Sequence, residues 1–512
     1  MVTVMRESGI LCPISSISSK YGIGCFSAEA YEFVDFLKES GQSYWQVLPF
    51  GPTGFGDSPY QSFSTFAGNP YFISPEQLVV DGLISVHEIN AFDFGNNSEV
   101  VDYGALYNNR FKLLRIAFDR FMQNPDPEYA PFKEEEADWL VDYGLYMALK
   151  SANEGRSWID WDVSLRTREP EAIEKAREEY ADTIEFYSFQ QYEFHKQWKK
   201  LRAYANENGI KIIGDIPFYT AFDSADTWAN PKMFLFDEEN IPTKVAGCPP
   251  DAFSADGQLW GNPIYDWKYL KKTKYAWWIS RIEHNLQFCD VLRVDHFRAF
   301  DEYYEIPYGE KTAKNGEWMP GPGIALFKEI KKQLGDVAVI AEDLGFITPS
   351  VIKLVKDTGF PGMKVLQFAF DSREESDYLP YNYDHNCVVY TGTHDNETTR
   401  GWIENINEQD RNFARQYINS IYTDYGAFTW DFIRCAMASV ADLCIVPIQD
   451  YLVLGNEARI NHPSTLGTNW TWRIRPNFLS RELAESIRRM TKLYGRIPKK
   501  PKEEKDDKEE KK

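Results

Sequence analysis

Eight short apolar runs recur along the 512-residue chain, each rich in Val, Ile, Leu or aromatic residues and each ending in polar or turn residues. The runs cover residues 10–12, 44–50, 210–219, 289–300, 337–345, 363–371, 387–396 and 443–450. Near-continuous apolar runs, in place of strict alternation, are typical of parallel strands that are covered on both faces. The pattern therefore predicts eight parallel strands.

Segments with apolar residues at helical spacing lie between these runs. The clearest cover residues 28–40, 189–208, 277–286, 323–334 and 349–358, and glycines such as Gly41, Gly209 and Gly359 follow as C-terminal stop signals. A strand followed by a helix, repeated eight times, is typical of the (β/α)8 TIM barrel. We therefore assign the chain to the α/β class and predict this barrel.

Two stretches exceed what a barrel needs. Residues 51–208, after the second run, contain helical patterns at 107–121, 137–152 and 171–197, so we expect a mainly helical insertion there. Residues 233–274 are rich in Pro, Gly and Asp, and we expect a long ordered loop over the mouth of the barrel. We expect residues 1–497 to form one catalytic unit with these insertions, and the charged, low-complexity residues 498–512 to be disordered.

Composition and charge narrow the choice of partners. The formal net charge is -21, which argues against binding to nucleic acid or to an anionic membrane. Aromatic residues make up 15% of the chain, which suits either a large core or flat surfaces that stack on ring-shaped ligands. The sequence carries no signal of an oligomeric state.

Cysteine use and the N-terminus bear on the compartment. The seven cysteines are scattered, odd in number and without a CxxC pair, which favours a reducing environment. The N-terminal residues lack a signal-peptide pattern, and no stretch is long and apolar enough to span a membrane. We therefore expect a cytoplasmic protein.

Charged residues gather at the ends of the predicted strands, and in a barrel these ends form one rim that carries the active site. They are Asp215, Arg293, Asp295, His296, Glu342, Asp343, Asp371, His394, Asp395 and Asp450. An Asp at a strand end also caps the following turn or helix, and this alternative stays open for Asp371 and Asp450 taken singly.

Two chemistries compete for such a ring of carboxylates. A metal site is disfavoured because the chain has no HExxH, CxxC or EF-hand pattern, and we expect no metal and no cofactor. Glycoside chemistry needs a carboxylate nucleophile and a carboxylic acid. Arg293 lies on the same strand face as Asp295 and would keep it ionised, whereas the apolar residues before Glu342 favour a raised pKa.

Four motifs carry a family resemblance. They are GDIPFYTAFDSADTW (214–228), VLRVDHFRAF (291–300), AEDLG (341–345) and YTGTHDNET (390–398). They resemble the signature regions of the α-amylase clan in the version found in 4-α-glucanotransferases, also called amylomaltases or disproportionating enzymes, of glycoside hydrolase family 77. The resemblance runs in order from about residue 11 to residue 473 and includes VPIQDYLVLGNEARIN and NWTWR.

The resemblance implies a retaining transglycosylation. A segment of an α-1,4-glucan (maltotriose and longer, amylose or starch-derived glucans) would pass through a covalent glycosyl-enzyme to the 4-OH of glucose or another glucan. The catalytic residues that it implies are Asp295 as nucleophile, Glu342 as acid/base and Asp395 as third carboxylate. The substrate-binding residues that it implies are Tyr60, Asp215, Trp260, Arg293, Asp371, His394 and Asn469.

Transfer and hydrolysis share the same intermediate, so an α-1,4-glucan hydrolase of the same clan remains an alternative, and a non-catalytic glucan-binding protein is a more distant one. Three aromatic residues of the long loop, Phe253, Trp260 and Tyr265, bear on this choice. They could exclude water and stack on an acceptor sugar. Alternatively, they only anchor the loop.

Overall fold

The protein is described by a computed structural model over residues 6–498, except residues 55, 251–254, 346 and 422. The strands of this part of the chain are β1 (Glu7–Leu11), β2 (Tyr44–Gln46), β3 (Lys211–Ile216), β4 (Lys244–Cys248), β5 (Gln258–Pro263), β6 (Val291–Val294), β7 (Glu302–Pro307), β8 (Glu317–Pro320), β9 (Val339–Ala341), β10 (Gly362–Val365), β11 (Cys387–Tyr390) and β12 (Leu443–Pro447).

Eight of these strands close a parallel barrel in the order β1-β12-β11-β10-β9-β6-β3-β2. Each of the eight apolar runs supplies one barrel strand, so the predicted fold class is confirmed. The strands are almost fully buried because their inward side chains fill the barrel and their outward side chains meet the helices.

The run at 289–300 is a strand only over its first part, and the prediction of a strand beyond Val294 is wrong. The backbone turns at His296, and Phe297–Phe300 form a 3₁₀ helix. Phe297 and Phe300 lie 5.1 and 5.0 Å from the ring of Phe327. These apolar residues therefore pack beside the barrel instead of extending the sheet.

Helices surround the barrel and fill the insertion. The α-helices of the described residues are α1 (Ala28–Glu39), α2 (Pro75–Val80), α3 (Val86–Ile89), α4 (Tyr103–Phe121), α5 (Tyr129–Glu135), α6 (Ala137–Ala152), α7 (Val163–Arg166), α8 (Pro170–Glu179), α9 (Ala181–Glu207), α10 (Ala225–Ala229), α11 (Trp267–Lys272), α12 (Ala276–Phe288), α13 (Ile324–Leu334), α14 (Pro349–Thr358), α15 (Thr399–Asn405), α16 (Glu408–Ile418), α17 (Tyr425–Ala438), α18 (Ile448–Tyr451) and α19 (Arg481–Leu493). Short 3₁₀ helices cover Ile14–Ser16, Pro70–Phe72, Trp158–Asp160, Pro231–Met233, Phe297–Phe300, Leu366–Ala369, Pro380–Asn382 and Asn456–Ala458. None of the helices in the described residues is long and apolar enough to cross a membrane.

The insertion after β2 is mainly helical, as predicted, and holds α2 to α9. The pattern predicted as one helix over 171–197 divides at Tyr180 into α8 and α9. The buried amide of Gln191 on α9 accepts from the Gly68 N–H at 2.7 Å and donates to the Gly68 carbonyl at 2.9 Å. This pair of bonds ties α9 to the segment that follows β2. The domain boundaries near residues 51, 208 and 497 stay predictions.

The segment at 233–274 is more regular than the predicted loop. It contributes β4 and β5, which join β7 and β8 in a second, antiparallel sheet of order β5-β4-β7-β8. Val245, Tyr304, Ile306 and Ala313 form the small core of this sheet. The sheet holds β5, with Trp260, beside the catalytic end of the barrel.

Candidate active site

Arg293 joins two carboxylates at the rim of the barrel. Asp215 on β3 and Arg293 on β6 are paired residues of neighbouring strands, and Arg293 Nη1 donates to Asp215 Oδ2 at 2.6 Å. Its Nη2 donates to Asp295 Oδ1 at 2.8 Å, and Tyr60 donates its hydroxyl to Asp215 Oδ2 at 2.7 Å. Burial acts to lower the pKa of Arg293, but the two carboxylates raise it well above its ordinary value. The guanidinium of Arg293 therefore places a permanent positive charge next to Asp295.

Glu342 follows β9 and lies across from Asp295, because Val294 and Ala341 are paired residues of adjacent parallel strands. Adjacent strands lie about 4.8 Å apart, close to the roughly 5–5.5 Å that a retaining pair of carboxyl groups requires. Glu342 Oε2 accepts from the His296 N–H at 2.6 Å, and Oε1 accepts from the Leu344 N–H at 2.9 Å. Burial raises the pKa of Glu342 to about 8, and the negative charge of Asp295 adds to this rise. Glu342 therefore holds a proton near neutral pH.

His394 and Asp395 follow β11 on another side of the rim. His394 Nε2 lies 3.3 Å from Asp395 Oδ1, which also accepts from Asn461 Nδ2 at 2.6 Å. The ring of Tyr60 stacks on His394 at 5.0 Å with an angle of 13° between the ring planes. Burial lowers the pKa of His394, so its imidazole is neutral near pH 7.

A cavity of about 590 Å³ opens beside Asp295, His394 and Asp395. Its lining includes Tyr60, Trp260, Asp295, His394 and Asp395, and further residues are Ser58, Gly257, Gln258, Leu259, Asn461, Pro463, Ser464 and Trp470. Three of the ten strand-end residues, Asp295, His394 and Asp395, line this cavity. Asp215, Arg293, His296 and Glu342 are linked to Asp295 by hydrogen bonds or strand pairing. The roles of Asn461 and Trp470 were missed, although both stand in the family motifs NEARIN and NWTWR.

The two loop aromatics that the structure describes differ in burial. Trp260 is half-buried at the cavity, and the edge of its ring meets the ring of His296 at 5.0 Å. Tyr265 is buried and donates its hydroxyl to the Phe218 carbonyl at 2.9 Å, so it anchors the loop. Phe253 lies outside the described residues.

Asn469 and Asp371 are engaged with their own segments. Asn469 Oδ1 accepts from the His462 N–H at 2.9 Å and its Nδ2 donates to the Thr465 carbonyl at 2.9 Å, so this amide shapes the loop that brings Ser464 to the cavity. Asp371 forms two bonds with the Arg373 guanidinium, at 2.8 and 2.6 Å. Its place as a substrate contact stays a prediction.

Asp450 follows the last barrel strand, and its contacts fit the capping alternative. Its Oδ1 accepts from the Thr399 N–H at 2.7 Å, and its Oδ2 accepts from the hydroxyls of Thr391 and Thr399, each at 2.6 Å. Asp450 is 1% exposed. The carboxylate therefore fixes the start of α15 against the end of β11.

We expect Asp450→Ala to lower the free energy of unfolding by about 3 kcal/mol, because three buried donors lose their acceptor. Urea denaturation monitored by Trp fluorescence measures the change. Asp336→Ala is the matched control, since Asp336 is exposed and pairs with exposed Lys331, and we expect a change below about 0.5 kcal/mol. Equal effects of both substitutions would contradict the capping role.

In the described part of the chain, no group of three or more His, Cys, Asp or Glu side chains is arranged to hold a metal ion. The site instead presents a carboxylate held by arginine and a second carboxyl group with a raised pKa at the ends of adjacent strands. A barrel with these two carboxyl groups at its rim belongs to the class of enzymes that cleave glycosidic bonds with a pair of carboxyl groups.

Comparison with known proteins identifies the family. Residues 12–479 match the family model described as 4-alpha-glucanotransferase. The chain is 50% identical to the 4-alpha-glucanotransferase of Clostridium butyricum, over 94% of this chain and 99% of that protein. It is 45% identical to the enzyme of the same name from Thermus thermophilus, over 96% and 99% of the two chains. The chain belongs to the 4-alpha-glucanotransferase family, as its motifs predict.

A solved structure agrees with this assignment. The amylomaltase from Streptococcus agalactiae in complex with acarbose is 40% identical and superposes with a TM-score of 0.94. The match covers 96% of this chain and 100% of that one.

Proposed function

We propose that this protein transfers a segment of an α-1,4-glucan to the 4-OH of glucose or of another glucan, with retention of configuration. The observation that carries the proposal is the pairing of Asp295, held by Arg293, with Glu342 on the neighbouring strand end. The names and the high coverage of the relatives support transfer over hydrolysis.

In the proposed first step, Asp295 attacks the anomeric carbon of the donor while Glu342 gives its proton to the leaving glycosidic oxygen. The bond from Asp295 to the sugar forms as the glycosidic bond breaks, and the shortened glucan leaves. In the second step, ionised Glu342 takes the proton of the acceptor 4-OH, and that oxygen displaces Asp295. Asp395 binds ring hydroxyls of the donor, and Tyr60, Asp215, Arg293 and His394 support the donor side. This chemistry requires no metal and no cofactor.

The half-buried ring of Trp260 supports binding of a sugar acceptor. It lies at the cavity that also holds Asp295, and a pyranose ring stacks well on an indole face. An acceptor seated there would exclude water from the glycosyl-enzyme, which favours transfer. We also propose that the protein works in the cytoplasm, since its seven cysteines are odd in number and include no CxxC pair.

Purified protein given maltotriose alone should produce glucose, maltose and a ladder of longer oligomers. Each transfer breaks one α-1,4 bond and makes another, so the total number of reducing ends should stay constant. Chromatography of the oligomers and a reducing-end assay measure the two quantities. A rise in reducing ends that keeps pace with maltotriose consumption, without longer products, would establish a hydrolase instead.

A further inference from the structure

His296, the residue after Asp295, has a left-handed backbone conformation, with φ 54° and ψ 44°. This conformation is uncommon for residues other than glycine, although Asn, Asp and His adopt it more often than the other types. Strained backbone of this kind persists where the surroundings enforce it, and it gathers at functional sites. His296 lies between the end of β6 and the 3₁₀ helix, and its left-handed conformation there needs a physical cause.

The turn sends three successive N–H groups in different directions. The Asp295 N–H donates to the Ile216 carbonyl at 2.9 Å, and the Phe297 N–H donates to the Glu342 carbonyl at 3.0 Å. Between them, the His296 N–H donates to the side chain of Glu342 at 2.6 Å. A strand continued through His296 would alternate its N–H groups between the two neighbouring strands and would not aim this one at a carboxyl oxygen.

We propose that His296 is a positioning residue, whose left-handed backbone aims its N–H at Glu342 and so fixes the acid/base carboxyl group against the reacting bond. This inference rests on the proposed function of Glu342. In this proposal the main-chain N–H of His296 orients Glu342, and the imidazole acts only to hold the turn.

The surroundings of the imidazole agree with this role. The ring lies 5.0 Å from Trp260 and 6.0 Å from Tyr219, measured between ring centroids. Burial lowers the pKa of His296 to about 4, so the ring is neutral and adds no positive charge beside Asp295. Packing from the Trp260 side and from Tyr219 thus holds the turn in its unfavourable conformation.

The charged groups that face Glu342 set the direction of the expected effect. Asp295 raises its pKa, Arg293 lowers it, and the Tyr378 hydroxyl faces it from the segment after β10. The N–H groups of His296 and Leu344 both favour the ionised carboxylate. Loss of the His296 donor should therefore raise the pKa of Glu342 further and release one of its oxygens.

The test compares His296→Gly with His296→Val. Both lack the imidazole, but Gly adopts the left-handed conformation freely, whereas a β-branched residue resists it. We expect His296→Val to shift the pKa of Glu342 upward by about one unit and to lower kcat on maltotriose ten- to a hundredfold. In His296→Gly and His296→Asn, the pKa of Glu342 should stay within a few tenths of a unit of the wild-type value.

Two measurements report the result. One is the alkaline limb of the pH profile of kcat, and the other is a titration of protein with ¹³C-labelled glutamate carboxyl groups, in which the signal absent from Glu342→Gln identifies Glu342. Equal pKa shifts in the Gly and Val variants would overturn the proposal, because the imidazole would then be the cause. Unchanged values in both variants would overturn it too.

If the proposed function is wrong, the wild-type protein itself lacks transfer activity. The titration of the Glu342 carboxyl group then still measures the effect of the His296 substitutions on its pKa. Thermal unfolding of each variant shows that the comparison concerns folded protein. If the Val variant does not fold, His296→Ala takes its place, because its Cβ also disfavours the left-handed conformation but lacks the branch. The same upward shift of the pKa of Glu342 is then expected in His296→Ala and not in His296→Gly.

Discussion

Asp295→Asn abolishes glucan transfer: we expect kcat/KM for maltotriose to fall by at least about 10⁴-fold. The carboxamide cannot form the glycosyl ester through which the proposed reaction passes. Its oxygen can still accept the bond from Arg293 Nη2 that Asp295 Oδ1 accepts at 2.8 Å, so the site should keep its shape. Oligomer analysis after long incubation measures the residual activity, and denaturation should show a change in unfolding free energy below about 1 kcal/mol.

Asp336→Asn is the matched control for this variant, because Asp336 is an exposed carboxylate that pairs with Lys331. We expect its activity to equal that of the wild type. Activity of Asp295→Asn within tenfold of the wild type would remove Asp295 as nucleophile. The non-catalytic alternative predicts that wild type and Asp295→Asn bind maltotriose equally well and that neither converts it, and calorimetry with product analysis separates the two cases.

The barrel could be predicted because its signal is local. Each strand is a short apolar run, and several helices end at a recognisable stop such as Gly359, which caps α14 with φ 75°. The second sheet lacks such a signal. The Pro- and Gly-rich composition of residues 233–274 indicates a loop, and this composition concealed the strands β4 and β5.

The candidate site was predictable to the extent that its residues stand at strand ends. Arg293 and Asp295 share a face because strand side chains alternate, and their contact follows from that spacing. The hydrogen bond from Asn461 to Asp395 depends on the path of a loop, and the spacing of apolar residues does not predict that path. The left-handed turn at His296 was equally hidden, since a single His is a weak signal of that conformation and the packing against Trp260 cannot be seen in the sequence.

The raised pKa of Glu342 predicts how activity changes with pH. Glu342 must carry a proton to assist the leaving group, and at its ordinary pKa it would be almost fully ionised near pH 7. Because burial and Asp295 raise this pKa to about 8, the protonated form predominates at neutral pH and is lost as the pH rises through that value. The rate of glycosyl-enzyme formation from glucans should therefore fall above about pH 8.

Glu342→Gln should lower the rate on maltotriose by about 10³- to 10⁴-fold, since the leaving oxygen loses its proton donor. With α-maltosyl fluoride, whose leaving group needs no proton, formation of the glycosyl-enzyme should stay within about tenfold of the wild type and lose its decline above pH 8. The intermediate should then accumulate, because the acceptor hydroxyl also lacks its base, and mass spectrometry of the quenched protein detects it on Asp295. Azide, an anion that needs no base, should release it as the α-glycosyl azide. Equal losses with maltotriose and with the fluoride would contradict the acid/base assignment, because a variant that fails with both substrates has lost binding or the nucleophile instead of a proton.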